Sequence, residues 1–488
     1  MIILLNALNI VAILLGFVFQ LLLMRTFGVS LDTDVFFLSN GIVQFASGII
    51  SGFFADLYIP VYHEIRASDE HEAERFSRAV IALSLLAGIA SLMVFFLGAP
   101  WLVRLFASGF SQQKIEVGVS IFKIQVLSLP FLVSSVVLSN TLNAHLHMRI
   151  TYLANLVTPA ISLIAVATLA NSFGLSGIVW AIVIASSLVF LILFAYHWRV
   201  LGWSWVSVFK NPNIGRLLRQ NLPVRAGIMV YLFKGPINTN VLSFFPTGTI
   251  TLFTYADKIL FTAFNVATSP VIQVLYVKAS SLLTQSNRDE LKAVLRSTIT
   301  SNVAITTAIM IPAVIFFREI LSFLLSPKVS ELEIGTMFLI FLALIPFYIS
   351  LSFESPFVVS MYALRRGVKV LAIAIAFIIV YGLLVTYLRA LIGVFALPAA
   401  LFLAQIQNSI SFAYFVQKRI PAIDGNLKRY LLKIVLFMIA FILLNFYFRE
   451  QGLVLYAVDL ALVIGWLGLM GTETWQALKL FTKKGEVR

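Results

Sequence analysis

Apolar residues run in windows of about 20 along almost the whole chain. At about 1.5 Å of rise per residue, each window is long enough to cross a hydrocarbon core about 30 Å thick. The pattern predicts helical spans over residues 4–24, 34–57, 79–97, 121–143, 152–170, 178–196 and 223–244. Seven more follow over 249–276, 299–317, 334–362, 371–388, 391–416, 430–448 and 453–469. The breaks between them are polar and mostly short. Residues 63–78 mix many charges with Ile65 and Phe76 and predict a short surface helix with a solvated face. On the opposite side the longest break, residues 98–120, predicts a loop.

Fourteen spans put both chain ends on one side, and the basic residues say which. The breaks after even-numbered spans, with the C-terminal tail, hold 23 of the 35 Lys and Arg, against seven in the opposite breaks. By the positive-inside rule the richer side, with both termini, is cytoplasmic. Residues 1–24 carry no basic leader and are long enough to span, which predicts no cleaved signal peptide. The organisation predicted is an N-lobe over 1–197 (spans 1 to 6), a cytoplasmic linker over 198–221 with Trp198, Trp203 and Trp205, and a C-lobe over 222–417 (spans 7 to 12). A second linker over 418–429 precedes the final pair of spans and the tail, 430–488. Identities at an offset of 218, among them Phe27 with Phe245, Thr33 with Thr251, Glu72 with Glu290 and Arg78 with Arg296, point to an internal repeat. Parallel repeats of this kind put a substrate path between two lobes, near the midplane.

Composition narrows the class. Hydrophobic residues make up 60% of the 488 and charged residues 11%, with a mean hydropathy of +0.98, which is an all-α polytopic membrane protein and not a soluble one. With no cysteine there is no disulfide, thiolate metal site or cysteine nucleophile. The net charge of +14 follows from the positive-inside bias and does not call for a nucleic-acid partner. No Walker motif, nucleotide fingerprint or His-Glu-x-x-His helix is present, so neither ATP-driven nor zinc-peptidase chemistry is expected.

The candidate chemistry is charge inside spans. Spans 7 and 8 carry Arg225, Lys234, Asp257 and Lys258. Lys234 lies eleven residues past Pro223, roughly 16 Å deep. Lys258, ten residues past Gly248, reaches a similar depth from the other face. A cation there costs about 2.5 to 3.5 kcal/mol, so it faces either a wet cavity and its cargo or a silent partner such as Asp257. Gly235 and Pro236 weaken the helix beside Lys234, as unwound backbone at a binding site requires. Asn238 and Arg25 complete the candidate substrate contacts. The acids Asp34, Asp56 and Glu354 are candidates for Na+ or H+ coupling, with interfacial capping as the alternative for the first two and for Asp459; Pro356 opens the helix beside Glu354. His145 and His147 diverge at i and i+2 on a helix and gain no further ligands, so no metal site is expected. Asp32-Thr33-Asp34 leaves open a glycosyltransferase acting on polyprenyl-linked sugars, though the outer breaks are short for an acceptor domain.

A set of short motifs, in order, resembles the MurJ/MviN branch of the multidrug/oligosaccharidyl-lipid/polysaccharide exporter superfamily. They are Leu15-Gly16-Phe17, Arg25-Thr26-Phe27-Gly28, Thr33-Asp34-Val35-Phe36-Phe37, Leu105-Phe106-Ala107-Ser108-Gly109-Phe110, Pro130 with Leu142-Asn143, and Tyr255-Ala256-Asp257-Lys258. The resemblance implies two six-helix lobes opening alternately around a cationic cavity, a C-terminal helix pair for the lipid tail, and no cofactor. It implies a transporter and not an enzyme: a flippase moving a polyprenyl-pyrophosphate-linked saccharide, either an exopolysaccharide repeat unit or a lipid II-type peptidoglycan precursor, to the outer leaflet of the bacterial cytoplasmic membrane. Membrane lipids and glycan synthase or polymerase proteins are the partners it implies, and Na+, H+ or the membrane potential the drive. Arginines that the resemblance places at Ile13, at Phe19 and near Ser47 or Gly48 are absent here, and Lys258 stands for the family's arginine without its bidentate fork. The alternative within the superfamily is a multidrug cation antiporter, which should present acids to its cargo.

Overall fold

The computed structural model describes residues 2–55, 57–202, 211–284, 288–325, 327–364 and 366–447, with 461–462, 464–466 and 468 beyond them. No strand occurs among the described residues. The helices are α1 (Ile2–Phe27), α2 (Leu31–Ala55), α3 (Tyr58–Ser68), α4 (Glu70–Leu97), α5 (Ala99–Phe106), α6 (Gln112–Gln125), α7 (Leu129–Ala144), α8 (Met148–Ala154) and α9 (Val157–Leu201). They continue as α10 (Pro212–Leu232), α11 (Lys234–Leu242), α12 (Thr249–Thr284), α13 (Arg288–Ile315), α14 (Phe317–Leu325), α15 (Glu331–Ala363), α16 (Gly367–Ile392), α17 (Ala396–Gln417) and α18 (Gly425–Tyr447). Nine continuous helical stretches among the described residues are long and apolar enough to cross a membrane. Most of the predicted span over 453–469, including Asp459, lies outside the described residues, as do Trp203 and Trp205 of the linker.

Several predicted breaks are folded. Residues 63–78 do not form one helix: Asp69 adopts an extended backbone and its carboxylate accepts from Glu72 N at 3.1 Å, ending α3 and capping α4. Residues 98–120 are likewise not a loop. Pro100 sits in the first turn of α5, and Ser111 N-caps α6. Span 4 is interrupted by a 3-10 turn at Val126–Ser128, just before Pro130. The helical stretches Met148–Leu201 and Gly367–Gln417, 54 and 51 residues long, are each long enough for two crossings. The bends fall at Gly174 (φ 57°) and Gly393 (φ 58°), left-handed positions that a side chain would strain. Span 12 accordingly starts at Ala396 and not at 391.

The chain divides into two compact units, Met1–Thr251 with Leu324–Ser330, and Leu252–Phe323 with Glu331–Arg488. In the first, α2 packs against α6, α7 and α10, and α4 lies along α7. Gly88 permits that last contact, because a Cβ there would stand 2.7 Å from the Pro130 Cα. Stacked rings of Tyr58, Tyr62 and Phe76, with centroids 5.9 Å apart, fill the core between α3 and α4. In the second unit α15 packs on α13 and α17, and α17 on α16.

The helix boundaries carry the internal repeat more plainly than the identities do. Thr33 and Thr251, 218 apart, are each the third residue of their helix, α2 and α12. Advanced by the same interval, both ends of α4 fall on both ends of α13, and the start of α5 falls on the start of α14. Gly174 and Gly393 keep the correspondence with one residue added.

Gly88→Ala should lower stability by about 1 to 3 kcal/mol, since the methyl group meets backbone and not a side chain able to move. Thermal unfolding in detergent checks it, and an unchanged Tm would mean that α4 and α7 separate without cost.

Candidate functional site

In the first unit the helix carrying the predicted cations is broken. Pro236 has no N–H to donate back to Leu232, and the break falls at Phe233, leaving Lys234 as the first residue of α11. Lys234 is half-buried, eight residues from the end of α11 at Leu242, or about 12 Å. The break packs on α2: the Phe233 ring meets Phe45 edge-on at 5.1 Å, and Leu232 lies against Gly48. One turn beyond Lys234, Asn238 is buried on α11. Arg225, on α10, is also buried; its guanidinium donates to the Gly48 carbonyl and lies where a side chain on Gly52 would be. The pair Gly48 and Gly52 on α2 is thus the groove that admits a guanidinium between two helices.

The far end of α11 is locked to the Leu105–Phe110 motif. Asn240 Nδ2 donates to the Leu105 carbonyl (2.8 Å) and Ser108 Oγ (2.9 Å), and Gly109 N donates to Ser243 Oγ (2.9 Å). A Cβ on Gly109 would stand 2.7 Å from the Ser243 and Phe244 backbone, which is why the motif needs glycine there. Lys114 Nζ donates to Thr247 Oγ1 at 2.6 Å.

Asp34 lies beneath this region with 2% exposure, its carboxylate on the first turn of α12. Oδ2 accepts from Gly248 N (2.6 Å), and Oδ1 from Thr251 N (2.9 Å) and Thr251 Oγ1 (2.7 Å). These N–H groups have no partner within α12, and its positive dipole end favours the anion. Thr251 Oγ1 also meets Thr33 Oγ1 at 3.0 Å, and Thr33 in turn bonds the carbonyls of Gly28 and Ser30. Arg25 is exposed in the last turn of α1, where a cation suits the carbonyl end of the helix. Asp56 lies outside the described residues.

In the second unit Asp257 and Lys258 are half-buried on α12, Lys258 nine residues from Thr249, or about 14 Å. Tyr348 of α15 donates its hydroxyl to Asp257 Oδ1 at 2.7 Å, and the carboxylate acts electrostatically on both Lys258 and Tyr381 of α16. Glu354, 3% exposed, accepts from Gln405 Nε2, from Asn408 Nδ2 at 3.1 and 3.0 Å, and from Ser409 Oγ at 3.3 Å, all on α17. Tyr348 and these three partners were not among the predicted site residues. Polar residues at i, i+3 and i+4 in the apolar span 12 were their signal.

The His145-x-His147 pair splits between two tyrosines: Tyr62 Oη to His145 Nε2 at 2.7 Å and Tyr196 Oη to His147 Nδ1 at 3.2 Å. Burial first, and then the Arg66 guanidinium, hold the His145 ring at about 4, down from 6.5.

A family model described as "Lipid II flippase MurJ" matches residues 11–464. The chain belongs to the MurJ family. The lipid II flippase MurJ of Burkholderia cenocepacia is 23% identical over 256 residues, 50% of either chain. The probable lipid II flippase MurJ of Buchnera aphidicola subsp. Schizaphis graminum is 20% identical over 300 residues, 59% of this chain and 57% of the relative. The chain therefore spans about half the length of the curated relatives it matches. Among solved structures, an inward closed conformation of lipid II flippase MurJ has a TM-score of 0.79 at 16% identity, over 98% of this chain and 99% of that one. An inward-facing multidrug resistance transporter of the MATE family reaches 0.71 at 15%, over 85% and 95%. These likenesses are of fold.

As a MurJ-family member the chain is a multi-pass protein of the bacterial inner membrane. The Arg225 guanidinium, which donates to the Gly48 carbonyl, stands beside one of the positions where the sequence resemblance places an arginine.

Asp34→Asn should destabilise by about 2 kcal/mol, because the amide places a donor against an N–H of the α12 terminus and removes the charge facing its dipole. A double-mutant cycle with Thr251→Val measures the shared part, and additive losses would mean that the two do not act together. For His145 the folded form holds the ring neutral, so its contribution is complete above the ordinary 6.5 and is lost as pH falls toward about 4. His145→Asn should flatten the acid limb of a Tm-against-pH curve, and an unaltered limb would remove His145 from it.

Proposed function

We propose that this MurJ-family chain is a flippase that carries a polyprenyl-pyrophosphate-linked saccharide from the inner to the outer leaflet by alternating access, with both termini cytoplasmic. The family match over residues 11–464 is the observation that carries the reading. The anionic pyrophosphate is attracted to the Lys234 and Lys258 cations, and where water is scarce that attraction is strong. Arg225 and Asn238 add donors on either side of the broken helix, Asp257 orients Lys258, and Arg25 meets cargo at the outer end of α1. The predicted lobes, 1–197 and 222–417, rock about this cargo while the prenyl tail stays in lipid along 430–488. Direction comes from an ion gradient or from the membrane potential, worth about 2.3 kcal/mol per charge at 100 mV.

The cargo proposed is an oligosaccharide other than lipid II, such as an exopolysaccharide repeat unit made and polymerised by partner proteins. Supporting this choice, Ile13 and Phe19 stand where the resemblance places arginines, while the pyrophosphate, common to both cargoes, keeps its cations.

In proteoliposomes, the Lys234→Ala/Lys258→Ala double variant should insert normally and flip glycolipid no faster than protein-free vesicles. Wild-type rates in that variant would end the role of the two lysines. Running wild type with lipid II and with an exopolysaccharide-type glycolipid in parallel separates the cargoes, and equal or greater flipping of lipid II would overturn the choice made here.

A further inference from the structure

Glu354 lies nine residues from Ala363 at the end of α15, about 14 Å into the helix, and therefore within the hydrocarbon depth. It is the most deeply buried of the carboxylates on the described spans whose partners are all side chains. The groups facing it from α17 are Gln405, Asn408 and Ser409. From α13, Asn302 meets the adjacent Ser352 and Ser355; from α16, Tyr381 is coupled to Asp257; and from α18, Tyr430 donates to the Thr300 carbonyl. Among the described residues no charged side chain faces Glu354. A carboxylate buried with neutral partners alone is costly by several kcal/mol, and a protein at this depth removes the cost by binding a cation or a proton.

The surroundings are built for such an occupant. Gln405, Asn408 and Ser409 each carry both a donor and an acceptor, so the same three side chains can donate to an ionised carboxylate or turn oxygen toward a cation or a carboxylic proton. The backbone beside them is opened as well. Pro356 has no N–H for the Ser352 carbonyl, which accepts instead from Asn302 Nδ2 at 2.6 Å, and the Ser350 carbonyl meets Ser409 Oγ at 3.4 Å. Asn302 Oδ1, fully buried, takes no hydrogen bond among the described residues. Loosened backbone carbonyls beside an intramembrane acid are the usual setting of coupling-ion sites.

We propose that Glu354, with Gln405, Asn408 and Ser409, forms a binding site for a monovalent cation, H+ or Na+, wholly within the second unit and joining α15 to α17. Its use as the driving ion rests on the transport reading above; the binding does not.

The test is thermal unfolding of the purified full chain in detergent, with no glycolipid present, so that it is separate from any flipping result. Sodium chloride is titrated against N-methylglucamine chloride at fixed ionic strength, and pH is varied from acid to alkaline without sodium. A sodium-dependent rise in Tm that Glu354→Gln abolishes identifies Na+; a sodium-indifferent pH transition that Glu354→Gln abolishes identifies H+. Asn408→Ala keeps the carboxylate and removes its two-point donor. It should weaken sodium binding about tenfold, or move the pH midpoint up by about one unit, since the ionised form loses support. Three results overturn the site: a wild type that responds to neither titration, a Glu354→Gln variant that responds as wild type does, and an unmoved midpoint in Asn408→Ala. The last decides the matter if Glu354→Gln does not fold.

Discussion

A helix interrupted at membrane depth exposes backbone groups that lipid cannot satisfy, and each interruption must be met by protein. In this chain a side chain from a neighbouring helix does so repeatedly. The free N–H groups at the start of α12 are met by Asp34 of α2, and the carbonyl opened by Pro356 by Asn302 of α13. The matched group and the residue that matches it are far apart in sequence, so these bonds fix which helices pack together. They also account for polar residues that composition alone would place in loops, such as Asn302 and Asn408 in otherwise apolar helices.

Much of the architecture could be read from hydrophobic length alone. Thirteen of the windows fall on described helices, because a 20-residue apolar run has no other stable form in a bilayer. What could not be read was how helices end. Asp69, Ser111 and Pro100 turn polar stretches into capped helices, and a hydropathy window averages such single residues away. The site was legible as charge and illegible as pairing. Arg225, Lys234, Lys258 and Glu354 stand out in apolar context, whereas Tyr348 beside Asp257 and the α17 triad beside Glu354 depend on contacts 51 or more residues apart. Asp34 shows the limit from the other side: capping was the alternative to ion coupling that the sequence offered, and the structure adds which helix is capped, the distant α12.

The repeat sharpens what those charges mean. The two halves share helix starts, helix ends and even the left-handed glycines at Gly174 and Gly393, so the backbone plan is the same in both. Their polar chemistry was not. At the interval that pairs Thr33 with Thr251, Asp257 and Lys258 correspond to Ser39 and Asn40, Lys234 to Gly16 and Arg225 to Ala7. Asn40 has a neutral partner, Gln125 at 3.1 Å, while Asp257 has the Tyr348 hydroxyl and a lysine beside it.

A scaffold needs no such difference between its halves. Each intramembrane charge costs a few kcal/mol on insertion, against a total stability of about 5 to 15 kcal/mol for a typical domain. Neutral residues at the same places in the first repeat show that the fold stands without them. The charges at Arg225, Lys234, Asp257, Lys258 and Glu354 have no counterpart in the first repeat, and a scaffold does not call for them. Cations at Arg225, Lys234 and Lys258 fit an anionic cargo, and a lone carboxylate at Glu354, surrounded by groups that can both donate and accept, fits a small cation. The two kinds of site lie on different helices of the second repeat. On the proposed reading cargo and ion are bound at once, and the bond that joins their helices is that of Tyr348 to Asp257, six residues before Glu354.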